Sequence, residues 1–276
     1  MLIYDKYLNP LNVDLPITIY GSSSSGNSVY IQPARLLIDL GLPKGHYGDD
    51  FKHMDWIAIT HRHGDHLNLA TLAYVLRVHP QIRFLIPDNV VPKIKEAGLW
   101  DALTPRMERL KAKEDLHWDT RDDVRIFLTP YSTKHGDLKN VAFDIDIPFL
   151  NTRILYATDL EETEPNPFFG TTGLPEETFN LIMLEANYDE EKLDGIIQNY
   201  QSELDQEQDP NLKKSIYNDL YRAQSNLRHF SEQQAQRYIN THLTPGGIFI
   251  PLHASSTFGT YIQKAFQASA ERQSLL

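Results

Sequence analysis

Three histidines and an aspartate crowd six residues of the chain, His61-Arg62-His63-Gly64-Asp65-His66. They directly follow a short apolar run that fits a buried strand, Trp56-Ile57-Ala58-Ile59-Thr60. Imidazole and carboxylate groups together suit zinc, iron or manganese better than calcium or magnesium alone. A tight turn after a strand can point alternate side chains into one pocket, so the first two histidines can face one metal ion. The aspartate and the third histidine can turn toward a second ion, and the segment therefore predicts a metal site.

One segment cannot saturate two metal ions, so further ligands are expected at the ends of other strands. The sequence offers three at such positions, His135, Asp159 and His253. The first comes after a strand expected to end near Thr129, and the others follow the runs at 153–157 and 248–252. The carboxylate can bridge two cations because each of its oxygens can bind one. Taken alone, each residue has an ordinary alternative, namely a loop histidine, a capping aspartate and a buried, hydrogen-bonded imidazole.

The elements that must position these residues alternate between strands and helices. Strands are expected at 17–20, 29–31, 36–39, 56–60, 83–87, 124–128, 141–147, 153–157, 181–185 and 248–252. Residues 67–78 and 90–97 have helical apolar spacing, and residues 232–243 predict a third helix with Ser231 as its N-cap. The serine-rich segment 21–27 predicts a turn by its composition. This alternation favours a layered α/β architecture.

Residues 189–228 differ from the rest of the chain in composition. They are dense in glutamate, aspartate, glutamine and lysine, with apolar residues spread between them, and they predict two helices broken near Asp209-Pro210. The ordinary interpretation is a solvated helical pair packed on the core. The alternatives are a substrate lid or the contact surface of a homodimer. We expect residues 1–276 to form one domain, with 189–228 as a charged helical insertion within it.

Composition narrows the classes of function. The formal net charge of −11 argues against tight nonspecific binding to nucleic acid, although it does not exclude a local basic groove. The sequence contains no cysteine, which excludes disulfides and thiolate metal sites. It has no apolar run of membrane-spanning length and no signal-peptide pattern at its start. A cytoplasmic protein without a membrane partner is expected.

The chain resembles the metallo-β-lactamase superfamily, because residues 61–66 match that family's signature H-x-H-x-D-H. Thr60 and the upstream segment Leu37-Ile38-Asp39-Leu40-Gly41 match the same family's context. The resemblance runs over about residues 17–252 and is weakest over 189–228. It implies an α/β fold, the αββα sandwich of two mixed β-sheets flanked by helices, here with a helical insertion.

The resemblance also implies two divalent metal ions, with zinc or manganese expected. By the family's order, the first ion would be bound by His61, His63 and His135. The second would be bound by Asp65, His66 and His253, and Asp159 would bridge the two. Asp39 looks like the family's structural aspartate, which braces the histidine-rich loop. A turn-forming aspartate before Gly41 is an equal alternative.

Three segments resemble the narrower YycJ/WalJ-like branch of bacterial and phage proteins. They are Gly21-Ser22-Ser23-Ser24-Ser25-Gly26-Asn27, Leu184-Glu185-Ala186-Asn187-Tyr188-Asp189 and Arg228-His229-Phe230-Ser231. That branch implies nuclease or phosphodiesterase activity on DNA. It usually has Gly-His-Leu-Ser where this chain has the last segment, and His-Leu-Ser where this chain has His253-Ala254-Ser255.

The resemblance assigns catalytic roles to Asp65 and His229. Asp65 would orient the attacking hydroxide besides binding metal. His229 would protonate the leaving oxygen or contact the phosphate, and its alternative is a surface histidine beside a helix cap.

Three hypotheses for the function follow. The first is a DNA exonuclease-like phosphodiesterase that uses a hydroxide activated by two metal ions on a nucleic acid or nucleotide substrate. The alternative within the same fold is a carbonyl-ester, thioester, lactone or β-lactam hydrolase. The third is a metal-stabilised binding protein, and the full ligand set argues against it.

Overall fold

The computed structural model describes residues 3–9, 11, 13–136, 138–161 and 173–261. The strands in these ranges are β1 Ile17–Ser23, β2 Gly26–Ile31, β3 Leu36–Ile38, β4 Trp56–Ala58, β5 Arg83–Pro87, β6 Met107–Leu110, β7 Leu116–Asp119, β8 Arg125–His135, β9 Leu138–Ile147, β10 Thr152–Ala157, β11 Phe179–Glu185 and β12 Leu243–Leu252. The α-helices are α1 Leu69–Val78, α2 Val91–Glu96, α3 Trp100–Leu103, α4 Glu190–Gln206, α5 Pro210–Ser225 and α6 Glu232–His242. None of these helices has both the length and the apolarity needed to cross a membrane.

The strands form two six-stranded sheets, each with parallel and antiparallel pairs. The first has the order β1-β2-β3-β4-β5-β6 and the second the order β12-β11-β10-β9-β8-β7. β3 to β6 are parallel in the first sheet, and β10 to β12 are parallel in the second. Because parallel neighbours end at the same edge, the residues that follow β3 and β4 meet at one edge and those that follow β10, β11 and β12 at another.

The short central strands are apolar on both faces because both faces are covered. In β4, Trp56 and Ala58 enter the core between the two sheets, whereas Ile57 packs in a separate core with residues of α1 and α2. The other side of the second sheet packs against α6 through Ala235 and Ile239. This layering is the αββα sandwich expected from the sequence, with two mixed sheets between helices.

Several expected elements differ in extent. β6 and β7 were not expected, because each has only four residues and charged side chains interrupt their pattern. The strand expected to end near Thr129 continues to His135, so His135 ends a strand instead of following one. β7 pairs with β8 only as far as Leu128. Pro130 therefore lies where β8 has lost that neighbour, and an edge strand tolerates proline.

The observed turn is also shorter than the turn expected over residues 21–27. β1 and β2 pair as far as Ser23 and Gly26, so the turn itself is Ser24-Ser25. Small residues are needed because the hairpin packs closely. A Cβ on Gly26 would lie 2.3 Å from Leu42 Cδ2, and its φ of +156° is one that L side chains rarely adopt.

The two helices expected within 189–228 are confirmed. Asp189 and Asp209 cap α4 and α5 by accepting hydrogen bonds from the first backbone N–H groups, and Pro210 occupies the first turn of α5. The cap expected at Ser231 is also confirmed, as part of a capping box with Gln234.

Gly41 lies where three segments of the chain approach one another. A Cβ there would lie 1.7 Å from the Asp65 carbonyl oxygen and 2.8 Å from the Asn27 backbone nitrogen. The Asn27 N–H donates to the Asp65 carbonyl at 2.7 Å, and the Gly41 N–H donates to the Asn27 carbonyl at 3.1 Å. The absence of a side chain therefore lets the histidine-rich loop lie against β2 and the end of β3.

We expect Gly41→Ala to lower the free energy of unfolding by about 3 kcal/mol, because the added methyl group meets backbone atoms that cannot turn aside. Urea unfolding measures the loss. Gly45→Ala is the matched control, since nothing lies within 4 Å of a Cβ at that position, and we expect a change within about 0.5 kcal/mol. Equal effects of the two substitutions would contradict this role for Gly41.

Candidate metal centre

The histidine-rich loop begins beyond β4 and is fastened to the residues that follow β3. The Leu40 N–H donates to the His66 carbonyl at 2.9 Å, and the Asn68 N–H donates to the Leu40 carbonyl at 2.8 Å. The N–H groups of His66 and Leu67 both donate to the His63 carbonyl, which closes a turn. In this turn His61 and His66 are fully buried, while His63 and Asp65 are partly exposed.

Asp159 lies at the centre of the cluster, and each of its oxygens is near a different pair of histidines. Its Oδ2 is 2.6 Å from His66 Nε2 and 3.4 Å from His61 Nε2. Its Oδ1 is 3.0 Å from His253 Nδ1 and 3.6 Å from His229 Nδ1. The carboxylate therefore joins residues that follow strands of both sheets.

Three groups of side chains offer ligand atoms within 4.8 Å of one another. They are His61, His63, His135 and Asp159; Asp65, His66 and Asp159; and Asp159, Glu185, His229 and His253. The structure thus brings together all seven residues expected as ligands. It differs from the expected division in one respect, because His253 groups with Glu185 and His229 instead of with Asp65 and His66.

Asp39 braces the loop, as one of its two interpretations predicted. Its Oδ1 accepts hydrogen bonds from the Thr60 backbone N–H at 2.8 Å and the Thr60 hydroxyl at 2.9 Å, and its Oδ2 lies 2.7 Å from His66 Nδ1. The carboxylate is fully buried. It therefore fixes the orientation of the His66 ring and leaves Nε2 directed at Asp159.

Three residues of the cluster have left-handed backbone conformations that usually favour glycine. The φ angles are +62° for Asp39, +52° for Asp159 and +51° for His253. Such conformations persist only where the surroundings hold them. A buried side chain donates a hydrogen bond to the carbonyl oxygen of each one. These bonds run from Ser28 Oγ to Asp39 O at 2.7 Å, from Asn140 Nδ2 to Asp159 O at 2.9 Å and from Asn187 Nδ2 to His253 O at 2.8 Å.

Glu185 is a site residue that sequence reasoning missed. It is the last residue of β11 and is fully buried, with Oε1 2.7 Å from His229 Nδ1 and 3.1 Å from His253 Nδ1. Its Oε2 accepts a hydrogen bond from the Leu160 N–H at 2.6 Å. The sequence feature that could have indicated it is a glutamate directly after the apolar run Leu181-Ile182-Met183-Leu184.

The pKa values of Glu185 and His229 shift in opposite directions. Burial by itself would raise the pKa of Glu185. The opposite effect of His229 and His253 is larger, so the pKa falls to about 2. Burial lowers the pKa of His229, but Glu185 outweighs that effect and holds it above the ordinary value. The two side chains therefore stabilise each other's charged forms.

Asn27 and Asn140 were also missed. Asn27 is buried, and its Nδ2 lies 2.9 Å from His66 Nε2 and 3.3 Å from Asp65 Oδ2. Asn140 is fully buried, and besides Asp159 it donates to the Thr158 carbonyl at 2.6 Å. The role of Asn140 could not be predicted from the residues next to it, because its hydrogen-bond partners are about twenty residues away in the sequence.

The serine-rich hairpin contributes a contact that its prediction as a turn did not include. Ser22 Oγ accepts a hydrogen bond from the His253 N–H at 2.7 Å. The hairpin therefore helps to hold the residue that follows β12.

The histidines of the cluster fall into two electrostatic classes. Burial, and then the neighbouring His66, lower the pKa of His61 to about 2, and burial also lowers the pKa of His63 and of His135. These three rings are therefore neutral at neutral pH, which is the form that binds metal. Burial opposes a charge on His253 as well, but Asp159 and Glu185 raise its pKa to about 10. A bound cation would replace the proton that these carboxylates hold there.

The residues fit a divalent metal ion. His135 Nδ1 is buried and has no hydrogen-bond partner in the part of the chain that the structure describes, although buried polar atoms are almost always paired. Its ring lies 5.6 Å from that of His61 and 5.3 Å from that of His63. The donors are imidazoles and carboxylates, which suit zinc or manganese. The cluster could therefore bind metal ions.

Comparison with protein families matches residues 35–209 to the beta-lactamase superfamily domain. The matched segment begins just before β3 and extends past α4, so it contains every expected metal ligand except His253. Comparison with curated proteins gave no significant match.

Several solved structures resemble the fold. Zinc-bound PqqB from Methylobacterium extorquens is 11% identical, and the similarity covers 93% of this chain and 95% of that one with a TM-score of 0.53. A mutant of the CmlA β-hydroxylase is 14% identical and covers 95% of this chain, but only 52% of that chain, with a TM-score of 0.50. The short form of human tRNase Z is 13% identical, with coverages of 66% and 82% and a TM-score of 0.44. At these identities the likeness to the first two shows the fold alone.

We expect Asn140→Ala to weaken metal binding about 10- to 100-fold, because it removes the amide that holds the backbone of Asp159. Titration with zinc against a chromophoric chelator measures the affinity. Asn180→Ala is the control, since Asn180 Oδ1 accepts a hydrogen bond from the Arg153 N–H at 2.8 Å near the other end of β11. A loss of affinity in both variants, or in neither, would show that Asn140 does not position the ligand.

Proposed function

The chain belongs to the β-lactamase superfamily, and from this premise we propose that it is a metal-dependent phosphodiesterase or nuclease acting on nucleic acid or nucleotide phosphodiesters. The observation that carries the proposal is the placement of His229. It is not among the seven expected ligands, yet its ring lies 5.3 Å from that of His135 and 5.0 Å from that of His253. The side chain is 19% exposed and is held by a fully buried glutamate.

The metal ions would be held by His61, His63, His135, Asp65, His66, Asp159 and His253, and zinc or manganese suits these donors. When bound, two such ions supply a hydroxide nucleophile near neutral pH and neutralise charge on the phosphoryl oxygens. Asp65, whose side chain is 23% exposed, would accept a hydrogen bond from the nucleophile and orient it.

His229 would act at the opposite end of the reacting group. Its Nδ1 donates to Glu185 Oε1, so Nε2 is the nitrogen that can give a proton to the departing oxygen. A nucleotide leaves as a strongly basic alkoxide, and its departure therefore depends on a proton donor. Glu185 fixes the ring orientation for that transfer and stabilises its protonated form.

Two further observations support a nucleic acid or nucleotide substrate. Glu185 and His229 both lie in segments that resemble the YycJ/WalJ-like branch, for which nuclease activity is expected. They are also 44 residues apart in the chain, yet they are in direct contact beside Asp159. A paired acid of this kind is suited to a poor leaving group.

The test compares two diesters that differ in leaving group. The wild type with manganese or zinc should hydrolyse both bis-p-nitrophenyl phosphate and a dinucleotide, and Asp65→Ala should lose both activities. His229→Gln should lower kcat on the dinucleotide by about 100-fold or more. The loss on bis-p-nitrophenyl phosphate should be much smaller, because p-nitrophenolate departs without a proton.

His46→Gln is the matched control, since His46 is exposed in a turn and belongs to none of the three candidate metal-binding groups, and both rates should stay at the wild-type value. Equal losses on the two diesters in His229→Gln would contradict the role of general acid. If the metal-loaded wild type cleaved a thioester, lactone or β-lactam and neither diester, the function would be the carbonyl-hydrolase alternative.

A further inference from the structure

We propose that the outer face of α5 binds single-stranded nucleic acid by stacking bases on Tyr217 and Tyr221. The inference rests on the proposed function and deepens it, because it names the form of the polymer that reaches the metal centre. Its support comes from the position of α5, the exposure of the two tyrosines and the charge around them.

The α4–α5 hairpin is inserted in the chain between Glu185 and His229, which are called the catalytic pair here because His229 would donate the proton and Glu185 orients it. Glu185 ends β11 four residues before the N-cap of α4, and α5 leads through the turn Asn226–Arg228 into His229. The base of the hairpin is packed in place, because Leu193 of α4 and Ala223 of α5 form a buried cluster with Tyr188. The C-terminal end of α5 is therefore anchored beside the catalytic pair.

The two tyrosines are exposed, although other residues of the same helix are packed. Leu220 and Ala223 are buried, whereas the exposed fractions are 58% for Tyr217 and 60% for Tyr221. Their spacing of four residues places them on one face, about 6 Å apart along the helix axis. Aromatic side chains presented in sequence are the usual platform on which the bases of a single strand stack.

The charge around the tyrosines suits an anionic ligand. Lys214 lies three residues before Tyr217 and therefore on the same face. α5 also carries Lys213 and Arg222 against a single acid, Asp219, and the exposed Arg228 follows just before His229. Lys213 and Lys214 have no ion pair among the residues that the structure describes. α4 is acidic by contrast, so a strand would be guided along α5 and not along α4.

The same charge argues against a second copy of the chain on this face. In a two-fold symmetric dimer the same patch meets its own copy, so the cations of α5 would face a patch that carries the same net positive charge. The overall net charge of −11 also disfavours broad electrostatic contact with a duplex. A single strand needs only a local cationic track beside stacking rings.

The test is fluorescence anisotropy of a labelled phosphorothioate single strand, which resists hydrolysis, with the metal-loaded full chain. We expect Kd to rise about tenfold for each of Tyr217→Ala and Tyr221→Ala. Lys214→Gln should reduce the slope of log K against log salt by about 0.7. Phe149→Ala is the matched control, because Phe149 is 81% exposed on the turn after β9, and its Kd should be unchanged.

The duplex of the same sequence should bind more weakly than the single strand. Equal affinity for the two forms, or a Kd unchanged by both tyrosine variants, would overturn the proposal. Sedimentation velocity tests the rival occupant, since a dimer that the tyrosine substitutions dissociate would make this face a subunit contact. The binding assay does not depend on hydrolysis, so it tests this proposal alone. Failure of the proposed function would instead appear as an absence of hydrolysis of both diesters by the metal-loaded wild type.

Discussion

The left-handed backbone at three strand ends is the constraint on which the rest of the candidate metal centre depends. Asp39, Asp159 and His253 each turn away from a strand with φ between +51° and +62°. A residue in the ordinary extended conformation would continue the strand and direct its side chain elsewhere. Each unfavourable conformation is offset by a buried donor on a neighbouring element, namely Ser28, Asn140 and Asn187. The sheets therefore position the candidate ligands through polar side chains that do not themselves belong to the three candidate groups.

The two sheets contribute different chemistry to the centre. The first sheet supplies the histidine-rich loop and its brace Asp39, and the second supplies Asp159, Glu185, His135 and His253. Asp159 is the link, because its two oxygens face histidines of the two sheets. The α4–α5 hairpin separates Glu185 from His229 in the chain. Its base is packed against the core, and the two side chains remain in contact. In the proposed function, substrate contacts on the hairpin would therefore lie next to the proposed proton donor without involving the candidate metal ligands.

The layered fold and the clustering of the seven candidate ligand residues could be predicted because they depend on local pattern. Buried parallel strands are continuous apolar runs, and most of the candidate ligands lie within a few residues of the end of such a strand. Glu185 escaped prediction because its role depends on a contact with His229 across 44 residues, and Asn140 because it acts on a backbone carbonyl. The grouping of His253 with Glu185 likewise follows from the order of β10, β11 and β12, which local sequence does not determine. β6 and β7 were missed because short edge strands with charged residues have no clear period.

The most direct test of the central claim is the metal content of the wild type and of Asp159→Asn after gel filtration, measured by elemental analysis. Asparagine has the size of aspartate and tolerates a left-handed backbone, so the fold is retained while one shared anionic ligand is lost. We expect two metal ions per chain in the wild type and at most one in the variant. A single ion in the wild type, or two in both proteins, would contradict the claim that Asp159 joins two metal positions.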